Sequence, residues 1–329
     1  MSTKGKQVAV TGGTGFVGRE VVRELLSRGH AVRVIARDRD RARRALPRAV
    51  QVVTGDVTDQ DAQTELLRGV DACVNLVGII RESRTPGEAQ TFEKIHVRAP
   101  RMLVETCRAE GVRRFVHMSA IGVRPVGVSE YQRTKWEGEQ AVRRSELDWT
   151  VIRPSLIHGP RGEFVGMAKE WVTGHAAPWI FLPYFAREVE DVRVPLGPVE
   201  LVAPRVAPVN VEDVARTFAE ALERPQAIGE VYNVAGSDTL TWPEMLRWIR
   251  DHVHGARAEL EPHGVPASAA AWGAFAASKL GLGALMPFDE GMARMGAEDS
   301  TASLDKLRAD LGVTPGGFRQ DFAAYAGSL

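Results

Sequence analysis

Near its N-terminus the chain carries Thr11-Gly12-Gly13-Thr14-Gly15-Phe16-Val17-Gly18. The residues before this turn are apolar enough for a strand, and those after it repeat apolar side chains at helical spacing as far as Arg28. In such a strand–turn–helix unit, the three spaced glycines allow a tight turn, a close approach of a pyrophosphate and close helix–strand packing. The helix N-terminus adds free N–H groups for phosphates. The stretch therefore predicts a dinucleotide site, with a plain structural turn as the alternative.

Short apolar runs alternate with helical stretches through the first half of the chain, which is typical of βαβ units on a parallel sheet. The predicted strands are Gln7–Thr11, Ala31–Ala36, Val50–Thr54, Val70–Val77, Phe115–Ser119 and Thr150–Arg153. A predicted helix over Ala89–Glu110 contains Pro100, where we expect a kink or a break. The pattern predicts an α/β fold, a Rossmann-type doubly wound parallel sheet with a smaller, mainly helical C-terminal lobe.

The alternation of strands and helices stops at about Gly159. Six of the 18 prolines lie between Pro178 and Pro208, together with the aromatic stretch Trp179–Phe185. This composition favours an irregular excursion that lines or covers a cleft over regular sheet. A helix is then predicted over Val211–Glu223 and a strand over Glu230–Ala235. We therefore assign residues 1–158 to the dinucleotide-binding core, with 206–235 returning to it, and residues 159–205 and 236–329 to a substrate-binding lobe.

The composition restricts the partners. Among the 329 residues, 42 Lys and Arg balance 42 Asp and Glu, so no net field attracts nucleic acid. Only Cys73 and Cys107 are present, and no apolar signal segment precedes the first strand, so we expect a cytoplasmic protein. The weakly polar stretch 265–288 is interrupted by Lys279 and contains too few strongly apolar residues for a membrane span.

Several apolar residues in that stretch are most simply explained as core of the smaller lobe. They are Trp272, Phe275, Leu280, Leu282, Leu285 and Met286. A greasy substrate pocket or a peripheral membrane contact is the alternative. His252, His254 and His263 are interpreted as surface histidines, and no metal site is expected. The sequence leaves the oligomeric state open.

The end of the second strand bears on the choice of dinucleotide. Sites for NAD usually carry an acid there that binds the ribose 2′-hydroxyl, whereas this chain has Ala36 and Arg37. A small residue followed by Arg leaves room and a cation for a 2′-phosphate, so NADP(H) is favoured over NAD(H). Alternatively, Arg37 and the arginines after it form a solvated helix start. Asp56 is placed either to accept from the adenine amino group or to cap a helix.

A second motif indicates acid–base chemistry. Tyr131 and Lys135 are four residues apart, which places both on one face of a predicted helix. An ammonium close to the phenol is expected to lower the pKa of Tyr131 from about 10. Ser119, at the end of the preceding strand, is a candidate hydrogen-bond donor to a substrate oxygen. A Tyr four residues before a Lys also occurs by chance in many helices.

Taken together, these motifs resemble those of the extended or atypical short-chain dehydrogenases/reductases. The resemblance rests on Thr11–Gly18, Gly55-Asp56-Val57, Phe115–Ala120, Tyr131-x-x-x-Lys135, Ile152–Ser155, His158-Gly159-Pro160 and Pro208–Ala215. Within that superfamily the chain is most similar to the branch of the NADPH-binding accessory subunit of respiratory complex I, with NmrA-like proteins nearby. The resemblance implies a Rossmann core, a C-terminal substrate lobe, and Tyr131 as acid/base assisted by Lys135.

Candidate site residues follow from the motifs and the resemblance. The candidate catalytic residues are Tyr131, Lys135 and Ser119. The candidate cofactor-binding residues are Gly12, Thr14, Gly15, Phe16, Val17, Gly18, Arg37, Asp56, Val57, Val77, Gly78, Lys135 and Pro154. Two positions depart from the family pattern: Ala120 stands where many members carry the catalytic Ser or Thr, and His96 replaces an Asn of the fourth helix. We interpret His96 as a structural or cofactor-side residue rather than a base.

Three functions are compatible with this sequence. The first is an NADP-dependent oxidoreductase that acts on a carbonyl or alcohol, with Tyr131 moving the proton. The second is a nucleotide-sugar epimerase or dehydratase that uses NAD. Arg37 argues against this function, because an NAD site usually carries an acid at that position. The third is a non-catalytic NADPH-binding sensor or accessory protein. The expected partners are a dinucleotide and an unidentified small-molecule substrate.

Overall fold

The computed structural model describes residues 5–83, 89–190, 199–280 and 288–329. Its strands are β1 Gln7–Thr11, β2 Ala31–Ala36, β3 Gln51–Thr54, β4 Ala72–Asn75, β5 Arg114–Met118, β6 Asp148–Pro154, β7 Ile157–His158, β8 Leu182–Glu190, β9 Val199–Val202, β10 Arg205–Val206, β11 Val209–Asn210, β12 Glu230–Val234, β13 Leu240–Thr241 and β14 Pro262–Pro266. Its helices are α1 Phe16–Ser27, α2 Arg39–Ala45, α3 Gln60–Leu67, α4 Ala99–Ala109, α5 Glu130–Arg143, α6 Glu163–Val172, α7 Val211–Glu223, α8 Trp242–His252, α9 Ala267–Lys279, α10 Glu290–Gly296, α11 Asp305–Leu311 and α12 Phe318–Ala326.

A seven-stranded parallel sheet organises the molecule. Its order is β3-β2-β1-β4-β5-β6-β12, so the chain runs outward in both directions from β1. Neighbouring residues of β1 face opposite sides: Val8 and Val10 pack with α1 and α7, whereas Ala9 packs with α3 and α4. Apolar layers on both faces make this a doubly wound Rossmann-type sheet, as predicted. The end of the chain is largely helical.

The sequence located the strands of the first half well. Each of the six predicted strands matches an observed one to within two residues at either end. The predicted helix Val211–Glu223 is α7, and the strand predicted after it is β12, which pairs in parallel with β6. These segments are short, apolar and bounded by glycines or polar turns, so local pattern alone specifies them.

The prediction of irregular structure between Pro178 and Pro208 is wrong for part of that segment. Strand β8 lies at the centre of a second sheet, between β14 in parallel and β9 in antiparallel. Pro183 is tolerated because β9 pairs only with the later part of β8, from Arg187 onward. The parallel partner of β8 comes some 80 residues later in the chain. Pairing over such a distance leaves no local signature in the sequence.

The predicted irregularity around Pro100 takes the form of a π-helical turn. Residues Glu93–Arg98 are π-helical and lead directly into α4, with Pro100 in its first turn. In a regular α-helix the ring of Pro100 would clash with the carbonyl group of His96, four residues earlier. Helix α5 crosses at this place, where a Cβ at Gly138 would collide with that same carbonyl oxygen. Gly138 therefore lets α5 approach the π-helical turn.

The apolar stretch near α9 is not core where the structure describes it. Helix α9 packs inward through alanines (Ala270, Ala271 and Ala274), while Trp272 and Leu280 are 72% and 74% exposed and Phe275 is 48% exposed. The expectation of a lobe core is therefore wrong for these three large side chains. Leu282, Leu285 and Met286 lie outside the described residues. Within the described ranges, no helix combines the length and the apolar character needed to cross a bilayer.

Candidate active site

A cleft of about 450 Å³ opens at the carboxyl ends of the central strands. Every predicted cofactor-binding residue lines it except Lys135 and Pro154. The other lining residues are Ile35, Ala36, Gly55, Leu76, Ile79, Ile80, Gln90, Ile95 and Met118. Pro154 is buried at the end of β6, where its carbonyl group accepts a hydrogen bond from the N–H of Ile121 at 3.0 Å.

The glycine turn forms one wall of the cleft, and its three spaced glycines differ in surroundings. Gly12 has φ +71°, and its carbonyl oxygen accepts from the N–H of Gly15 at 3.0 Å. A Cβ at Gly18 would collide with that carbonyl oxygen, whereas a Cβ at Gly15 would meet only the same oxygen, at 3.3 Å. Gly18 thus serves packing, and the space beside Gly15 belongs to the cleft.

The N-terminus of α1 at this turn is suited to an anion. Gly15 is the N-cap residue, no side chain caps the helix, and its first turn contains no acidic residue. The N–H groups of that turn therefore keep their hydrogen-bonding capacity and the positive end of the helix dipole. Phosphates bind readily at such a position. The wall fits the pyrophosphate of a dinucleotide.

Arg37 marks the far end of the cleft. Its neighbour Asp38 caps α2 by accepting from the N–H of Arg41 at 2.9 Å, and no carboxylate among the described residues lies within ion-pair distance of Arg37. The Gln90 side-chain amide contacts the Arg37 guanidinium. The positive charges of Lys94 and Arg37 both favour the ionised form of Asp56 and so help to lower its pKa. This end of the cleft is therefore cationic.

Asp56 lines the cleft but does not cap a helix. Its Oδ1 accepts from the backbone N–H of Thr58 at 2.9 Å and from the Thr58 hydroxyl at 2.7 Å, while Asp59 caps α3. Burial alone would raise the pKa of Asp56, but the hydrogen bonds from Thr58 outweigh it and hold the pKa below its usual value. The helix-cap interpretation is wrong, and the carboxylate stays ionised at neutral pH.

Tyr131 lies in the first turn of α5, which Ser129 caps. Its ring meets the rings of His96 and Phe92 edge-on, with centroids 5.3 and 6.0 Å away. Burial among them raises the pKa of Tyr131 to about 12. The prediction that Lys135 lowers this pKa is wrong for the chain by itself, because removal of the phenol from water dominates.

Lys135 is held against the wall of the cleft. Its ammonium donates to the carbonyl group of Met118 at 2.7 Å, and a Cβ at Gly78 would lie 3.5 Å from its Nζ. Both Met118 and Gly78 line the cleft. Burial lowers the pKa of Lys135 to about 8. The side chain is thus still mostly charged at pH 7. Its ammonium lies next to Gly78 and Met118, two residues that line the cleft.

His96 supports the cleft from behind. Its Nε2 accepts from the backbone N–H of Ile79 at 3.1 Å, so its proton lies on Nδ1, which donates to the Thr134 hydroxyl at 3.1 Å. Burial, aided by the charge of Lys135, lowers the pKa of His96 to about 2. A neutral histidine in a fixed tautomer therefore joins the loop of Ile79 to α5. This arrangement supports the structural interpretation of His96.

Ser119 is engaged with a buried carboxylate. Its hydroxyl donates to Glu139 at 2.8 Å, and Arg153 donates to both oxygens of the same carboxylate, at 2.8 and 2.6 Å. The Glu139 side chain is 0% exposed, and the Arg153 guanidinium lies over the ring of Trp136. Ser119 does not line the cleft. Its catalytic role stays a prediction, and the geometry gives its hydroxyl a structural task.

Replacing Ser119 by alanine should lower the free energy of unfolding by about 1.5–3 kcal/mol, because a buried carboxylate loses one charge-assisted hydrogen bond. Denaturant unfolding measures this loss. Ser129→Ala removes the cap of α5, the helix that carries Glu139, and provides a serine-to-alanine comparison with an expected loss of about 1 kcal/mol. A Ser119→Ala protein as stable as the parent would show that the contact with Glu139 contributes nothing.

Several residues of the cleft could not be predicted from the sequence. Gln90, Ile79 and Ile80 come from the connection between β4 and the π-helical turn, which has no periodic pattern. Met118 was visible as part of a strand, but only the fold shows that its carbonyl group holds Lys135. Glu139 lies on the same helical face as Lys135, and that spacing was the only signal available for it.

Comparison with known proteins agrees with this geometry. Residues 12–170 match a family described as NAD(P)H-binding. The chain is 31% identical to a ceramide reductase of Caulobacter vibrioides over 258 residues, which are 77% of this chain and 72% of that protein. It is 26% identical to NADH dehydrogenase [ubiquinone] 1 alpha subcomplex subunit 9, mitochondrial, of Dictyostelium discoideum, over 76% of this chain but only 64% of that subunit.

A similar fold occurs in a solved NADPH-dependent quinone oxidoreductase of Escherichia coli in complex with NADPH. The TM-score is 0.67 at 17% sequence identity, over 96% of this chain and 99% of that chain. At such low identity the likeness concerns the fold only. The family match, the reductase relative and the glycine turn in its Rossmann sheet agree: this chain belongs to the NAD(P)H-binding family, and its motifs resemble those of the extended or atypical short-chain dehydrogenases/reductases.

Proposed function

We propose that this protein is an NADP(H)-dependent oxidoreductase that interconverts a carbonyl and an alcohol. The observation that carries the proposal is Arg37, which lines the far end of the cleft where an NAD site would carry an acid. The relative named as a ceramide reductase supports reductase chemistry. The substrate binds between the core and a lobe formed by residues 159–205 and 236–329.

The chain supplies binding and proton transfer. The N–H groups at the start of α1 hold the pyrophosphate, and Arg37 holds the 2′-phosphate. Bound NADPH supplies a hydride to the carbonyl carbon. The Tyr131 hydroxyl gives its proton to the carbonyl oxygen, which thereby becomes the alcohol. A pKa of about 12 keeps that hydroxyl protonated at neutral pH, as a proton donor requires.

Lys135 assists from behind the wall of the cleft. Its ammonium is 2.7 Å from the carbonyl oxygen of Met118 and close to Gly78, and it would hold the nicotinamide ribose of a bound dinucleotide. A positive charge there stabilises the phenolate that Tyr131 becomes once its proton has left. His96 fixes Ile79 and Thr134 around this group and takes no part in proton transfer.

Arg37→Ala should weaken NADPH about ten- to a hundred-fold, because a charge-assisted bidentate contact of about 1.5–3 kcal/mol is lost. NADH affinity should hardly change, since a ribose 2′-hydroxyl needs no cation. Calorimetric titration of both dinucleotides measures the two affinities. Arg33→Ala serves as control, since that arginine pairs with Gln51 away from the cleft. Equal affinities of the parent protein for NADPH and NADH would refute the preference.

A non-catalytic dinucleotide-binding protein is the second candidate. It is favoured by the engagement of Ser119 with Glu139 and by Ala120, which offers no hydroxyl in its place. Absorbance of NADPH followed over a panel of ketones, aldehydes and quinones separates the two candidates. Turnover on any of them supports the oxidoreductase, whereas tight NADPH binding without turnover supports the non-catalytic role.

A further inference from the structure

We propose that Gln90 is a second determinant of cofactor choice: its side-chain amide occupies the Arg37 donors that a 2′-phosphate needs, and releases them when NADP(H) binds. The inference rests on the proposed role of Arg37. It assigns to Gln90 the task of lowering the affinity for the phosphorylated cofactor, so that the arginine alone does not set the preference.

The contact itself is specific. With its amide oxygen turned toward Arg37, Gln90 accepts from Nη1 at 2.5 Å and from Nη2 at 3.3 Å. The opposite orientation would place amide N–H groups against guanidinium N–H groups, donor against donor. One oxygen that faces both terminal nitrogens engages the same edge of the guanidinium that phosphate oxygens take in a bidentate pair.

Gln90 reaches this position from a different part of the chain and is fixed there. Its backbone exchanges two hydrogen bonds with Ser83, at 3.0 and 2.8 Å. Both Gln90 and Arg37 line the cleft, so the amide lies in the space of the ligand and not behind the wall. A phosphate on the Nη1/Nη2 edge of Arg37 and the present position of the amide oxygen exclude each other.

The surrounding charges explain why a neutral side chain is suited to this task. Arg37 and Lys94 both act on Asp56, so the end of the cleft carries two cations close to one carboxylate. A carboxylate at position 90 would form an ion pair with Arg37, stronger than the contact with an amide, and would repel a phosphate. The amide satisfies the guanidinium in the absence of ligand and is displaced at a small cost.

Two substitutions of opposite expected sign test the proposal in the full chain. Gln90→Ala should tighten NADPH binding about two- to ten-fold, because the guanidinium of Arg37 no longer has to be released from the amide, and water takes the place of the amide before NADPH binds. Gln90→Glu should weaken NADPH by about ten-fold or more. Neither should change NADH affinity more than about two-fold, because NADH carries no 2′-phosphate. Calorimetric titration with NADPH and NADH provides the four affinities.

Gln51→Ala is the matched control. Gln51 accepts from the Nε of Arg33 at 3.1 Å on the exposed edge of the sheet, so this change also breaks an Arg–Gln pair but away from the cleft. It should leave both affinities unchanged. The double variant Arg37→Ala/Gln90→Ala should bind NADPH no more tightly than Arg37→Ala, since no guanidinium remains to be released.

The outcomes separate this inference from the proposed function. If Arg37→Ala leaves the NADPH affinity unchanged, the cofactor assignment fails and Gln90 has no phosphate to exclude. If Arg37→Ala weakens NADPH but Gln90→Ala has no effect, only the role of Gln90 is refuted. If Gln90→Ala weakens NADPH, the amide is a ligand of the cofactor and the proposed competition is wrong.

Discussion

Valine in place of Gly15 is expected to abolish binding of both NADPH and NADH while the protein remains folded. Gly15 has φ −74° and ψ 179°, an extended conformation that any residue adopts. A Cβ there would meet only the carbonyl oxygen of Gly12, at 3.3 Å, so the chain accommodates it with a small adjustment. The branched methyl groups would fill the space that a pyrophosphate takes beside the N-terminus of α1.

Calorimetric titration and a thermal melt of Gly15→Val test the two halves of this expectation. Gly166→Val, in α6 with open space around the added Cβ, is the control for the same change away from the cleft. Gly18→Ala is the opposite case, because its Cβ would collide with the backbone of Gly12 and disturb the turn itself. A folded Gly15→Val protein that binds NADPH normally would place the cofactor elsewhere.

The contrast between these glycines shows how far sequence reasoning reaches. A glycine motif in a strand–turn–helix unit depends only on neighbouring residues. Its position in the chain and its place at the cleft could therefore be predicted from the sequence. The strand Leu182–Glu190 could not, because its parallel partner, Pro262–Pro266, is distant in the chain and both segments contain proline. Local sequence pattern is sufficient to predict strands that are covered by helices. It does not predict a strand that forms only by pairing with a segment distant in the chain.

The candidate site divides in the same way. Tyr131 and Lys135 share a helical face, as their spacing requires, but spacing carries no information on burial. The ring of His96 lies in the π-helical turn, and that of Phe92 comes from the residue before it. Burial of the phenol beside these two rings raises the pKa of Tyr131. The position of Ser119 at a strand end could be predicted from local pattern, whereas its partner Glu139 lies 20 residues later in the chain. Such contacts depend on the packing of α5 against the sheet.

Tyr131→Phe is expected to lower reductase turnover by about 10²–10⁴, the range for loss of a general acid. Phenylalanine keeps the ring that meets His96 and Phe92, and removes only the hydroxyl. Affinity for NADPH should therefore stay within a few-fold, and thermal stability should hardly change. Steady-state kinetics on a carbonyl substrate found in the panel, with titration of NADPH, separates the loss of chemistry from a loss of binding.

Lys135→Met gives the comparison that decides between proton donor and scaffold. Methionine keeps nearly the length of the lysine side chain but lacks the ammonium that donates to the carbonyl group of Met118. Both turnover and NADPH affinity should therefore fall. In the parent protein, reduction should be fastest below pH 8 and should slow as Lys135, with a pKa of about 8, loses its charge. If Tyr131→Phe retains full turnover, the phenol is not the acid. The two aromatic neighbours of Tyr131 would then hold it as a packing residue, and another group would supply the proton.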